Sequence, residues 1–80
     1  MVEVVVPWRG GCPHRERALA WVLGRYQWPV TIAPAPPGEW RKAAAVWPAA
    51  RASTADILVI ADADVWCDAT LTAVEAVEEI

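Results

Sequence analysis

The chain has 80 residues, which suits one small domain. Its residues are 56% hydrophobic and 21% charged, a globular balance, and a chain this short buries only about 60% of its unfolded surface. The net charge of −3 argues against nucleic-acid binding, which needs a basic face, and no stretch approaches the roughly 20 apolar residues of a membrane span.

From the amino terminus, Val2 to Pro7 is a β-branched run and predicts a first strand. Trp8-Arg9-Gly10-Gly11-Cys12 reads as a loop, and Pro13 suits the first position of a helix, where a missing N–H costs nothing. That helix is predicted to run to about Gln27, with Leu19, Val22, Leu23 and Tyr26 as its buried stripe. Trp28 to Ala33 predicts a second strand entered through Pro29. Pro34, Pro36, Pro37 and Gly38 then make a stiff loop. A helix is predicted from about Glu39, kinked or restarted near Trp47 by Pro48, with its Ala-rich stretch packed close on a sheet. Ser53 to Asp56 is a turn, and Ile57 to Ile60 is a buried strand too short and too β-branched for a helix. Asp68 is a good N-cap for a last helix from Ala69 to about Glu79, with Leu71, Val74, Val77 and Ile80 facing inward.

The order β-α-β-α-β-α, with right-handed crossovers, predicts an α/β three-layer sandwich. Its parallel sheet has three strands in the order 2-1-3 and helices on both faces. Residues 1–80 then form a single domain. The loops after the first and third strands meet at the switch point of such a sheet, where ligands bind. That brings Pro7-Trp8-Arg9 beside Asp62-Ala63-Asp64. Asp62 and Asp64 are spaced i, i+2 at the end of an apolar strand, so an extended chain points both carboxylates to one side. Two adjacent carboxylates repel unless a proton or a cation intervenes, and a hard divalent cation with oxygen preference resolves the repulsion. The plainer alternative is that both are turn residues at a strand end.

Val4-Val5-Val6-Pro7-Trp8-Arg9, then Arg41-Lys42-Ala43, then Ile60-Ala61-Asp62-Ala63-Asp64 resembles the nucleotide-sugar-binding amino-terminal half of GT-A-fold glycosyltransferases. The inverting family-2 and galactosyltransferase-like enzymes are the most similar group. The resemblance spans residues 2 to about 75 and implies a Rossmann-like half-domain. It implies that Pro7, Trp8, Arg9, Arg41, Lys42 and Asp62 approach a nucleotide-sugar, UDP-type favoured, and that Trp8 stacks on the base. It further implies that Asp62 and Asp64, as an Asp-x-Asp motif, hold Mn²⁺ or Mg²⁺ bridging the diphosphate. Enzymes of that family continue well past the motif into an acceptor-binding half that supplies the catalytic base. The resemblance therefore describes a truncated domain, whose sugar transfer requires completion by an oligomer or partner, and it assigns no catalytic residue here.

The six Trp are more than so small a core can fully bury. Trp21 and Trp47 are expected in helix–sheet packing, and Trp40 and Trp66 near a cleft. An exposed Trp-rich apolar face is expected to drive homo-oligomerisation or receive a protein partner. A non-catalytic interaction module on the same reduced fold is accordingly the alternative function. A metal-dependent phosphate-ester hydrolase ranks third, since the sequence offers no further carboxylates for a second metal. Met1 leads into strand-like sequence without a basic and apolar leader, so a cytoplasmic location is expected, with Cys12 and Cys67 as free thiols. A Cys12–Cys67 disulfide, or zinc held by Cys12, His14 and Cys67, are weaker alternatives.

Overall fold

The computed structural model describes residues 1–64, 66 and 69–79, and of Ala69 the backbone only. It is an α/β fold in the order β1 (Val2–Trp8), α1 (Pro13–Leu23), β2 (Val30–Pro34), α2 (Lys42–Ala52), β3 (Ile57–Ile60) and α3 (Ala69–Glu78). The sheet is parallel with the order β2-β1-β3. Both fold class and strand order agree with the sequence reading.

The central strand β1 carries the core. Val4, Val5 and Val6 are fully buried, and Val2 nearly so. Burying each such side chain stabilises the fold by about 1.5–3 kcal/mol before entropy is counted. Strand alternation sends Val4, Val6 and Trp8 to one face and Glu3, Val5 and Pro7 to the other. On the first face, Val4, Val6 and Ala63 form a buried cluster, with Leu19 of α1, Tyr26 and Trp28 packed against it. On the second, α2 lies across β1 and β2, with Ala45 buried. Its alanines allow the close approach that the sequence predicted.

Glu3 is the one charged residue of the central strand, and it is tied down. Its carboxylate accepts hydrogen bonds from the Thr31 hydroxyl of β2 and the Ser53 hydroxyl at the end of α2. The Ser53 bond, then the Thr31 bond, hold the Glu3 carboxyl below the usual glutamate range. A carboxyl with a depressed folded-state pKa contributes stability above its unfolded pKa and loses it as pH falls through the folded value. Melting curves are therefore expected to show a loss of stability below about pH 4.5. That loss should be smaller in Glu3→Gln, and equal pH profiles for the two proteins would contradict this role.

Several helix and strand ends differ from expectation. Helix α1 stops at Leu23, because Gly24 caps it and the Arg25 N–H closes a tight turn on the Val22 carbonyl at 2.9 Å. Tyr26 therefore lies beyond the helix, yet still packs on the core cluster. Strand β2 starts at Val30, while Trp28 precedes it and packs inward. Helix α2 starts at Lys42, three residues late. Gly38 takes φ 99°, and Arg41 is still extended at φ −135° and ψ 107°. The helix then continues through Pro48 without interruption. The carbonyl that Pro48 leaves without an amide partner belongs to Ala44, an exposed residue that water can satisfy.

Trp21 and Trp47 are not core residues, being 54% and 63% exposed. Trp21 lies off the stripe formed by Leu19, Val22 and Leu23, and the Arg25 guanidinium covers its ring at 4.2 Å. Arg51 lies over Trp47 at 5.9 Å. In α3, Val74 is buried but Val77 is half exposed beside Ile57, because β3 is an edge of the sheet. The expected cap Asp68, the inward Ile80 and the partner thiol Cys67 lie outside the described residues. Cys12 is half-buried and His14 is exposed, bonded to Arg17. Among the described residues, no helix is long and apolar enough to cross a membrane.

Candidate functional site

The carboxyl ends of β1 and β3 open onto one pocket of about 270 Å³. It is lined by Pro7, Arg9, Arg15, Trp40, Lys42, Asp62, Ala63 and Asp64. The topology explains the position. Chain connections leave β1 toward β2 on one side, while β3 flanks β1 on the other, so the two loops diverge and leave a crevice.

The parallel pairing runs to the threshold of the site. Val5 is in register with Ile60, and the Ala61 N–H donates to the Val5 carbonyl at 3.0 Å. Ala63 is then 3% exposed, packed into the cluster with Val4 and Val6. Its methyl group pins the Asp62-Ala63-Asp64 turn to the end of the sheet, and both carboxylates remain exposed. Asp62 Oδ1 accepts a bond from the Lys42 ammonium at 3.0 Å. Tyr26 also stands near this carboxylate. Burial raises the Tyr26 phenol pKa, and the Asp62 charge adds to the rise. Trp66 packs edge-on against the Tyr26 ring, with centroids 5.0 Å apart.

Arg9 crosses the pocket mouth. Its guanidinium donates to the Pro36 carbonyl at 2.9 Å and lies over the Trp40 ring at 5.6 Å. Gly38 and the extended Arg41 keep Trp40 in the loop before α2, where the residue is 43% exposed and lines the pocket. Arg15 enters from the first turn of α1 and lies over the Trp8 ring at 5.7 Å. Arg41 and Lys42 occupy the start of α2, which has no side-chain cap. Cations at that end oppose the helix dipole, at a cost of about 0.3–1 kcal/mol each. Such a local conflict is characteristic of functional positions, and the Asp62 carboxylate offsets it for Lys42.

The pocket therefore unites six residues singled out in the sequence: Pro7, Arg9, Trp40, Lys42, Asp62 and Asp64. It does not include Trp8 or Arg41. Alternation turns Trp8 to the face opposite Pro7, where it packs on the core cluster under Arg15. Arg41 lines a separate depression with Pro36, Pro37, Glu39 and Ala44. Arg15 is the residue that sequence reasoning missed. Its place in the first turn after β1 was the available signal, since that turn faces the carboxyl end of the sheet.

Three cations and two carboxylates leave the pocket with a formal charge of +1. Among the described residues, no group of three or more His, Cys, Asp or Glu side chains converges on a metal position. Two carboxylates nevertheless suit Mg²⁺ or Mn²⁺ when a ligand's phosphates and water complete the shell. The donor set thus fits a metal that arrives with an anionic ligand better than a metal held by protein alone. Comparison with protein-family models, curated proteins and solved structures finds no match.

Proposed function

We propose that this domain binds a nucleoside diphosphate or nucleotide-sugar at the β1/β3 crevice, with a divalent metal ion at Asp62 and Asp64. The supporting observation is the union, in one pocket, of two carboxylates, three cations and a half-exposed tryptophan. Arg9, Arg15 and Lys42 are suited to charge-assisted bonds with phosphate oxygens. Trp40, exposed in the pocket, is suited to stack on the base, a role that the resemblance implies for Trp8. The metal, when bound, neutralises charge on the diphosphate as a Lewis acid. The resemblance to glycosyltransferase donor domains rests on the same residues. Sugar transfer, beyond donor binding, would also require an acceptor site and a catalytic base.

A non-catalytic interaction module remains the second reading, favoured by the exposed Trp21 and Trp47. These two rings do not form one continuous face, because α1 and α2 pack on opposite sides of the sheet. Calorimetric titration with uridine, UMP and UDP, each with and without Mn²⁺, tests the donor-site reading. Affinity is expected to rise with phosphate number and to rise further with Mn²⁺ for UDP. A response that ignores both phosphate number and metal would refute it.

A further inference from the structure

The cations of the pocket are held in three different ways. Arg9 is engaged by the Pro36 carbonyl and the Trp40 ring, and Arg15 by the Trp8 ring. Lys42 is paired with a carboxylate, and that carboxylate is one of the two metal-ligand candidates. Its Nζ lies 3.0 Å from Asp62 Oδ1, within the pocket lining. The other ion pair among the described residues, between the Met1 ammonium and Asp56, is remote from the pocket.

We propose that Lys42 is a resident counter-ion that locks Asp62 against divalent metals until an anionic ligand draws the ammonium away. This rests on the donor-site reading above and adds regulation to it. An ammonium at hydrogen-bond distance occupies an acceptor direction of Asp62 and repels an incoming dication. Lys42 has a flexible four-carbon stem, so it can leave Asp62 for phosphate without any backbone change. A diphosphate in the pocket then does two things. It takes the Lys42 charge, and it presents oxygen ligands to the metal beside the released carboxylate. Metal and diphosphate consequently bind with positive cooperativity, and the coupling is reciprocal by linkage. The pair is half exposed, at 49% and 58%, so the lock is a modest one. An exposed ion pair changes a competing equilibrium by up to about fivefold.

The test measures Mn²⁺ affinity by electron paramagnetic resonance for the wild type, Lys42→Met and Lys42→Arg, with and without UDP. Lys42 is exposed at a helix start, so both variants are expected to fold. Without UDP, Lys42→Met is expected to bind Mn²⁺ about fivefold more tightly than wild type, and Lys42→Arg to behave like wild type. UDP is expected to tighten Mn²⁺ binding by a larger factor in wild type than in Lys42→Met. Mn²⁺ binding by Lys42→Met that equals or falls below wild type overturns the lock, whatever UDP does. Tighter binding by Lys42→Met with no effect of UDP on any of the three proteins sustains the competition of Lys42 with metal at Asp62, and refutes both its release by diphosphate and the donor-site reading.

Discussion

A Val6→Asp variant is expected to be unfolded at room temperature. Val6 is fully buried on the central strand, within the cluster that includes Val4 and Ala63. An aspartate there loses the apolar transfer energy and buries a charge without a partner, a combined cost of several kcal/mol. An 80-residue domain has only about 4–12 kcal/mol in total. Val6→Ala removes two methyl groups from the same place and is expected to cost roughly 2 kcal/mol while keeping a cooperative melt. Far-UV circular dichroism against temperature distinguishes the two. A Val6→Asp protein that melts like wild type would mean that the β2-β1-β3 sheet is not the core.

Asp64→Ala is expected to leave the melting temperature nearly unchanged and to weaken Mn²⁺-dependent UDP binding by at least about tenfold. Asp64 is exposed, and exposed substitutions away from caps and networks shift stability by about 0.5 kcal/mol or less. Losing one of the two proposed protein ligands should cost at least as much metal affinity as losing an outer-sphere partner, which is about 10–100-fold. Asp64 is a cleaner probe than Asp62. Removing Asp62 also frees Lys42, which adds an unpaired cation to the pocket. Undiminished Mn²⁺-dependent binding by Asp64→Ala would remove the carboxylate pair from the account.

The architecture was legible because its signals were redundant. Val2 to Pro7 and Ile57 to Ile60 are apolar, β-branched and too short for helices, and two helical stretches separate the three strands. Right-handed crossovers then leave few arrangements, and β2-β1-β3 is the one found. The same logic placed Pro7, Arg9 and Asp62 in one crevice, since strand order alone sets which loops meet.

What was illegible depended on side-chain direction and on loop conformation. Trp8 follows Pro7 by one residue, and a one-residue step along a strand reverses the face. Arg41 and Lys42 are likewise adjacent, but one is extended and the other begins a helix, so their side chains part. The late start of α2 follows from the backbone at Gly38 and Arg41, and no capping side chain marked it. Trp40 was expected near a cleft, and that delay is what leaves it in the crevice. Trp21 and Trp47 lie outside the core because helical phase, and not hydrophobicity alone, decides which side chains are buried. A large ring off the buried stripe stays outside, and a neighbouring arginine covers its face.

A diphosphate site formed by the end of β1 and the Asp62-Ala63-Asp64 turn has a direct spectroscopic signature. Amide chemical shifts of isotope-labelled protein, titrated with UDP and diamagnetic Mg²⁺, test it most directly. Shifts are expected to concentrate at Arg9, Arg15, Trp40, Lys42 and residues 62–64, and to be larger with the metal than without. An unchanged spectrum at millimolar UDP and Mg²⁺, or shifts confined to Trp21 and Trp47, would contradict it.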